Sequence, residues 1–274
     1  MNKFLLVFVF SLLLFSCKEE KEDEEVKEWA FKSKIELPAE ARPLALAKTG
    51  DDFWFSDPEQ FRLLKIDSSG KVLDSIVDIK RPMNIDFNKG KLYVPEFLTD
   101  SIWVFEDGKK SSLSLNAKPE APAGLNVKGD TIAVADFYKH RVILQIKGQV
   151  TFIGKEGHDN GELYYPIDVK IKGDKVYVAD AYNNRIQVFD FDGKALNVIG
   201  KEDGLNVASA IAFNKNGFAV TDQENSRVLI YDLDGTLQQT LIANINYPTD
   251  VLFDDNKLYI TNFKENSITL YTPK

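Results

Sequence analysis

About forty residues apart, six acids or amides recur behind an apolar residue and a small one: Asp57, Glu96, Asp136, Asp180, Asp222 and Asn262, as in Val178-Ala179-Asp180. Carboxylates in series have two uses. They can act as general acids, bases or ligands of a hard cation, or they can hold a fold together by accepting from backbone N–H groups and pairing with arginines. Arg62, Arg141, Arg185 and Arg227 each follow the acid of their own segment by five residues. The pairs Asp57 with Arg62, Asp136 with Arg141, Asp180 with Arg185 and Asp222 with Arg227 are therefore read as bidentate braces across a short loop. An active site needs one special residue, whereas a scaffold needs the same residue everywhere.

A second column keeps the same step. Pro43, Pro82, Pro122, Pro166 and Pro248 each stand fourteen residues before their acid or amide, with Ala208 in the remaining place. Two residues beyond this column, Asn84, Asp168 and Asp250 carry side-chain oxygens that could converge on calcium or on a hydroxylated ligand. Solvated turn residues at strand starts are the plainer reading. The two histidines, His140 and His158, are too few for a three-histidine zinc site and read as surface residues. No Gly-x-Ser-x-Gly segment and no glycine-rich phosphate loop occurs. No catalytic residue, metal site or cofactor is expected.

Two columns in phase require a repeated structural unit to position them. In the fourth copy, Ile167–Ile171 and Val176–Val178 are β-type runs around Lys172-Gly173-Asp174-Lys175, and Arg185–Asp190 and Lys194–Ile199 flank Asp192-Gly193. Each copy is a four-stranded antiparallel meander. Such small sheets bury both faces only by packing around an axis, so the fold is all-β, a six-bladed β-propeller. The sixth copy ends one strand short, and residues 28–37 read as extended with no copy of their own. That segment is predicted to complete the last blade and close the ring.

The amino-terminal end is of another kind. Lys3 and an apolar run from Phe4 to Phe15 suit the core of a secretory signal over residues 1–16, too short to span a bilayer. Leu14-Phe15-Ser16-Cys17 resembles the lipobox of bacterial lipoproteins, which implies lipid attachment at Cys17, the single cysteine. Residues 17–27 then form the lipidated end and an acidic tether, and residues 28–274 the propeller. The implied place is the bacterial cell envelope, most naturally the outer membrane, with membrane contact through the lipid alone. A net charge of −8 leaves no basic stripe for phosphates, which argues against a nucleic-acid partner.

The stretch from Gly154 through Tyr164-Tyr165-Pro166 and Val178-Ala179-Asp180 to Asn184-Arg185-Ile186-Gln187-Val188-Phe189-Asp190 resembles an NHL repeat, with weaker copies over residues 38–274. The resemblance implies six blades. The pattern departs at Glu96 and Asn262 in the acid column and at Ser101 and Ser267 in the arginine column. Gluconolactonase-like propellers set metal ligands just after the column proline; here those positions are Leu44, Met83, Ala123, Ile167, Ser209 and Thr249, which cannot form that cage. Amidating lyases related to NHL proteins use several histidines around zinc, which this chain lacks.

At one end of a propeller lie the loops between second and third strands and those between blades. Phe97, Phe137, Tyr138, Tyr182, Tyr247 and Phe263 fall there, fringed by Arg42, Arg81, Lys139 and Lys264. Rings with a polar rim are what a recognition surface needs. The expected function is a monomeric, non-catalytic module binding a protein, peptide or glycan. Two alternatives are a metal-dependent hydrolase or lyase at the channel mouth and a structural subunit of an envelope complex.

Overall fold

The computed structural model describes residues 28–274. The leader, Cys17 and the acidic tether lie outside the described residues. Strand β1 (Trp29–Glu36) precedes the first blade, which holds β2 (Ala45–Thr49), β3 (Asp52–Asp57), β4 (Arg62–Ile66) and β5 (Val72–Val77). Blade 2 holds β6 (Asp86–Asn88), β7 (Lys91–Glu96), β8 (Ser101–Glu106) and β9 (Lys109–Ser112). Blade 3 holds β10 (Pro122–Lys128), β11 (Thr131–Asp136), β12 (Arg141–Ile146) and β13 (Gln149–Ile153), and blade 4 holds β14 (Pro166–Lys172), β15 (Lys175–Asp180), β16 (Arg185–Asp190) and β17 (Ala195–Ile199). Blade 5 holds β18 (Ala208–Phe213), β19 (Gly217–Asp222), β20 (Arg227–Asp232) and β21 (Leu237–Leu241), and blade 6 holds β22 (Pro248–Asp254), β23 (Lys257–Asn262) and β24 (Ser267–Pro273).

The chain is a six-bladed β-propeller of four-stranded antiparallel sheets. The first strands of neighbouring blades touch all the way round, β2 to β6, β10, β14, β18, β22 and back to β2. The core is therefore not axial. Six apolar layers lie between blades, each drawn from two neighbours; Leu144, Val169 and Phe189 fill the one between blades 3 and 4, and Phe218 and Tyr231 belong to the next. Each such side chain contributes on the order of 1.5–3 kcal/mol by leaving water. Outer hairpins are set locally: the carboxylates of Asp67, Asp190 and Asp232 each accept two backbone N–H groups of their own turn.

Blade 2 has the shortest inner strand. Pro82 pairs with Glu96 and the N–H of Met83 is donated to the carbonyl of Pro95, but that of Asn84 goes to Ala123 of the next blade, so the ladder is interrupted and continuous pairing starts only at Asp86. Pro95 itself has no N–H to give.

β1 completes blade 6 as expected, pairing antiparallel with β24 from Trp29↔Pro273 to Glu36↔Ser267 with a bulge between Phe31 and Ser33. Ile35 and Leu37 enter the apolar layer shared with Phe53, Phe55 and Tyr259. Gln239 of β21 holds both the N–H and the C=O of Trp29, each at 2.8 Å, so the amino-terminal strand also bridges to blade 5. Deleting residues 28–37 uncovers the edge of β24 and takes Ile35 and Leu37 out of one layer. The urea midpoint should fall markedly and the protein should self-associate; a monomer melting like the full chain would refute closure by this strand.

Candidate functional site

The acid column ends the second strand of each blade and holds the connection that enters it. The acidic or amide oxygen accepts a backbone N–H: Lys80 to Glu96, Glu120 to Asp136, Tyr164 to Asp180, Asn206 to Asp222 and Asn246 to Asn262, at 2.6–3.0 Å, and Arg42 to Asp57 at 3.3 Å. The second oxygen of the four aspartates takes Nε of Arg62, Arg141, Arg185 or Arg227 at 2.6–2.9 Å. The brace is real but single rather than bidentate. A carboxylate that gives one oxygen to a backbone N–H has only the other for the guanidinium; in blades 4 and 5 a terminal nitrogen of the latter serves loop carbonyls, Arg185 those of Asp159 and Glu162 and Arg227 those of Asp203 and Gly204. Burial raises the carboxyls of Asp57 and Asp136 above their ordinary value despite these partners.

Four residues beyond each acid the backbone turns left-handed, at Phe61, Asp100, His140, Asn184, Ser226 and Asn266. Three of these side chains latch the following blade in the same way: Asp100 accepts the N–H of Ala121, Asn184 that of Val207, and Ser226 that of Tyr247. His140 does likewise. Its Nδ1 accepts the N–H of Tyr165 at 3.1 Å, which places the ring proton on Nε2. His140 is 7% exposed, so it is a buried latch rather than a surface residue. His158 is exposed and meets Asn183, yet both histidines flank the ring of Tyr164, at 5.2 and 4.8 Å.

Asn84, Asp168 and Asp250 do face the axis, but they are nearly sealed from water and do not form an open mouth. Asp168 accepts from the N–H of Ile211 and from Nζ of Lys170, both at 3.0 Å. Asp250 accepts from Leu46 across the ring closure at 2.6 Å and from Val251 at 2.8 Å. Asn84 reaches across the axis to the carbonyl of Ser209 at 3.4 Å. The oxygens are thus spent on neighbouring blades, and a lysine occupies the place a cation would take. Among the described residues no three His, Cys, Asp or Glu side chains are arranged to hold a metal ion. Lys170, Asp86 and Asn126, two residues further along the inner strands, complete the lining; the alternation of a strand is the signal that points to them. Burial depresses the ammonium of Lys170, but Asp168, Asp250 and Asp86 outweigh it and hold it above its ordinary value.

The aromatic pole divides in two. Phe97, Phe137, Tyr138, Tyr164, Tyr165 and Tyr182 form one continuous run over blades 2 to 4, with successive centroids 4.7–5.5 Å apart, mostly edge to face. Phe97 is buried and forms its floor, under the guanidinium of Arg81, whereas Tyr138 and Tyr182 are 50% and 57% exposed. Tyr247 and Phe263 stand apart on blade 6 with centroids 6.4 Å from each other. There Lys264 covers the ring of Tyr247, whose hydroxyl bonds to Glu224. Of the expected rim, Lys139 is held by Glu120 and Arg42 by Asn266.

Residues 163–189, the heart of blade 4, match the NHL repeat. The chain carries an NHL repeat. Three solved structures are similar in fold over most of the chain: a streptogramin B lyase (TM-score 0.66, 12% identity, 90% of this chain and 98% of that one), the virginiamycin B lyase of Staphylococcus aureus (0.65, 12%, 90% and 100%), and a catalytically inactive histidine-to-alanine form of the latter with quinupristin (0.65, 13%, 90% and 89%). At such identities the likeness is one of fold. No curated protein matches the sequence.

Burial, reinforced by Asp168 and opposed by Lys170, pushes Asp250 from 3.8 up to about 7. A carboxyl raised on folding stabilises the native state while it stays protonated and loses that contribution as pH rises through the folded value. The difference is on the order of 4 kcal/mol between pH about 4 and about 7. Asp250→Asn should therefore flatten the fall of the urea midpoint over this window; an unchanged slope would show that Asp250 does not titrate there.

Proposed function

We propose that this propeller is an exported, lipid-anchored binding module, monomeric and without chemistry of its own, whose aromatic pole takes a protein, peptide or glycan. The observation that carries the reading is the run of rings from Phe97 to Tyr182, with Tyr138 and Tyr182 half exposed in loops whose backbone N–H groups are donated to Glu120 and Tyr164. Exposed rings in water forgo hydrophobic stabilisation that a ligand restores, and rings already locked edge to face lose little entropy when one arrives. The clamps explain the rigidity: the amides of Tyr164 and Tyr165 are held by Asp180 and His140.

A second reading, a lyase, draws on the activity for which the structural neighbours are named. His158 is the side chain at this pole best placed for proton transfer, since it is exposed and beside Tyr164. The two readings separate in one set of assays. With peptide and glycan arrays, the Tyr138→Ala, Tyr182→Ala double variant should bind at least tenfold more weakly than the unaltered chain while melting alike. Retained binding would discard the aromatic pole, and consumption of quinupristin that disappears in His158→Ala would replace binding by catalysis.

Anchoring rests on the sequence around Cys17. No helix among the described residues is long and apolar enough to cross a membrane. Cys17→Ser should lose incorporation of a radiolabelled fatty acid and move the protein from the membrane fraction to the soluble one; continued labelling would exclude Cys17 as the attachment point.

A further inference from the structure

At the hairpin end, opposite the aromatic pole, blades 5 and 6 stand apart around a cleft of about 880 Å³. This falls within the few hundred to roughly a thousand Å³ of small-molecule sites. One wall is Ile230 with Gly217 of blade 5, whose Phe213 and Phe218 rings turn to the opposite face, onto Tyr177 of blade 4 at 4.8 and 5.8 Å. The other is Phe253 of blade 6 with Trp29 packed on it at 5.4 Å. Trp29 has no counterpart in the other blades, because only blade 6 takes its outer strand from the amino-terminal segment. Closure of the ring therefore builds this site as well as the fold.

The rim differs in chemistry from the walls. Asn216 and Asn256, at the tips of the two inner hairpins, are exposed and make no side-chain hydrogen bond within the described chain, and neither does the indole N–H of Trp29. Gln238 bonds only within its own turn and to Asp232. Primary amides both donate and accept, which suits hydroxyl groups that do the same. Asp232 and Asp255 outnumber Lys215 among the charged lining residues, so the cleft does not favour an anion. Nor does it offer an apolar compound a dry rim.

We propose that this cleft is a binding site for a neutral saccharide, one C–H face of which lies on the Trp29 and Phe253 rings opposite Ile230 and whose hydroxyls meet Asn216, Asn256, Gln238 and the Trp29 indole. The site is independent of the aromatic pole. Full-length protein titrated by calorimetry with neutral oligosaccharides of β-linked glucose, β-linked N-acetylglucosamine and α-linked glucose should bind at least one series saturably and shift its tryptophan emission. Asn216→Ala with Asn256→Ala, both on exposed turns, should weaken that binding tenfold or more without changing thermal melting, and Trp29→Phe should abolish the emission shift. Lys89→Ala with Asp130→Ala, on the matching exposed hairpins of blades 2 and 3, should leave saccharide binding intact. No saturable binding of any neutral series, a preference for anionic saccharides, or asparagine variants that bind like the unaltered chain would overturn the proposal. A loss caused by the Tyr138→Ala, Tyr182→Ala double variant alone would move the saccharide to the other pole and leave the cleft without this role.

Discussion

Every blade hangs on the capture of backbone N–H groups that the connections between sheets leave unpaired. A connection cannot enter a ladder, and an unpaired amide beside a packed layer costs on the order of 1–3 kcal/mol. The chain answers at every step with the acid or amide at the end of the second strand and, at four of the six, also with the side chain at the left-handed residue four further on. The first ties a connection to the blade it enters and the second ties it to the blade before. The left-handed turn has a local cost, reduced by asparagine, aspartate and histidine, which tolerate that region better than branched residues.

The departures from the repeat obey the same constraint. In blade 6 the aspartate becomes Asn262 and the arginine becomes Ser267, and charge leaves both partners together: the amide oxygen still accepts from Asn246 while its nitrogen donates to Ser267 and Thr269. An aspartate there would be buried without a cation. In blade 2 the arginine is replaced by Ser101 but the acid is kept as Glu96, which takes the Lys80 N–H and the hydroxyl of Thr99. Burial pushes this carboxyl up, and those hydrogen bonds bring it below its ordinary value. His140 belongs with these cases, an imidazole nitrogen doing what the amide oxygen of Asn184 does one blade later.

Much of this was legible in the spacing of residues. The forty-residue step gave the blades, and the missing last strand gave β1 its place, because both follow from short-range pattern and a count. The division of the aromatic pole was present too, had the same columns been followed through blade 5, where Asn206, Val207, Gln223 and Glu224 carry no ring and so separate Tyr182 from Tyr247. What spacing does not carry is distance across the ring. Whether Asn84 and Ser209, from opposite blades, come within reach depends on the tunnel's width, set by the inter-blade layers. The burial of His140 was hidden for a related reason, since its partners come from the next repeat.

The tunnel shows why oxygen-bearing residues near an axis are a weak pointer to a site. Blades 1 and 5 present Ala45, Ala47, Ala210 and Ala212, while blades 2, 3, 4 and 6 present Asp86, Asn126, Asp168 and Asp250. Each of these four accepts a backbone N–H from the inner strand of the following blade: Val127, Ile171, Ile211 and Leu46. Gly124 fits the same economy of space, since a Cβ there would stand 2.5 Å from the carbonyl oxygen of Ile167. Three carboxylates so placed repel one another, and Lys170 among them makes the arrangement tolerable. The polar lining is thus a row of inter-blade ties with its own counter-charge.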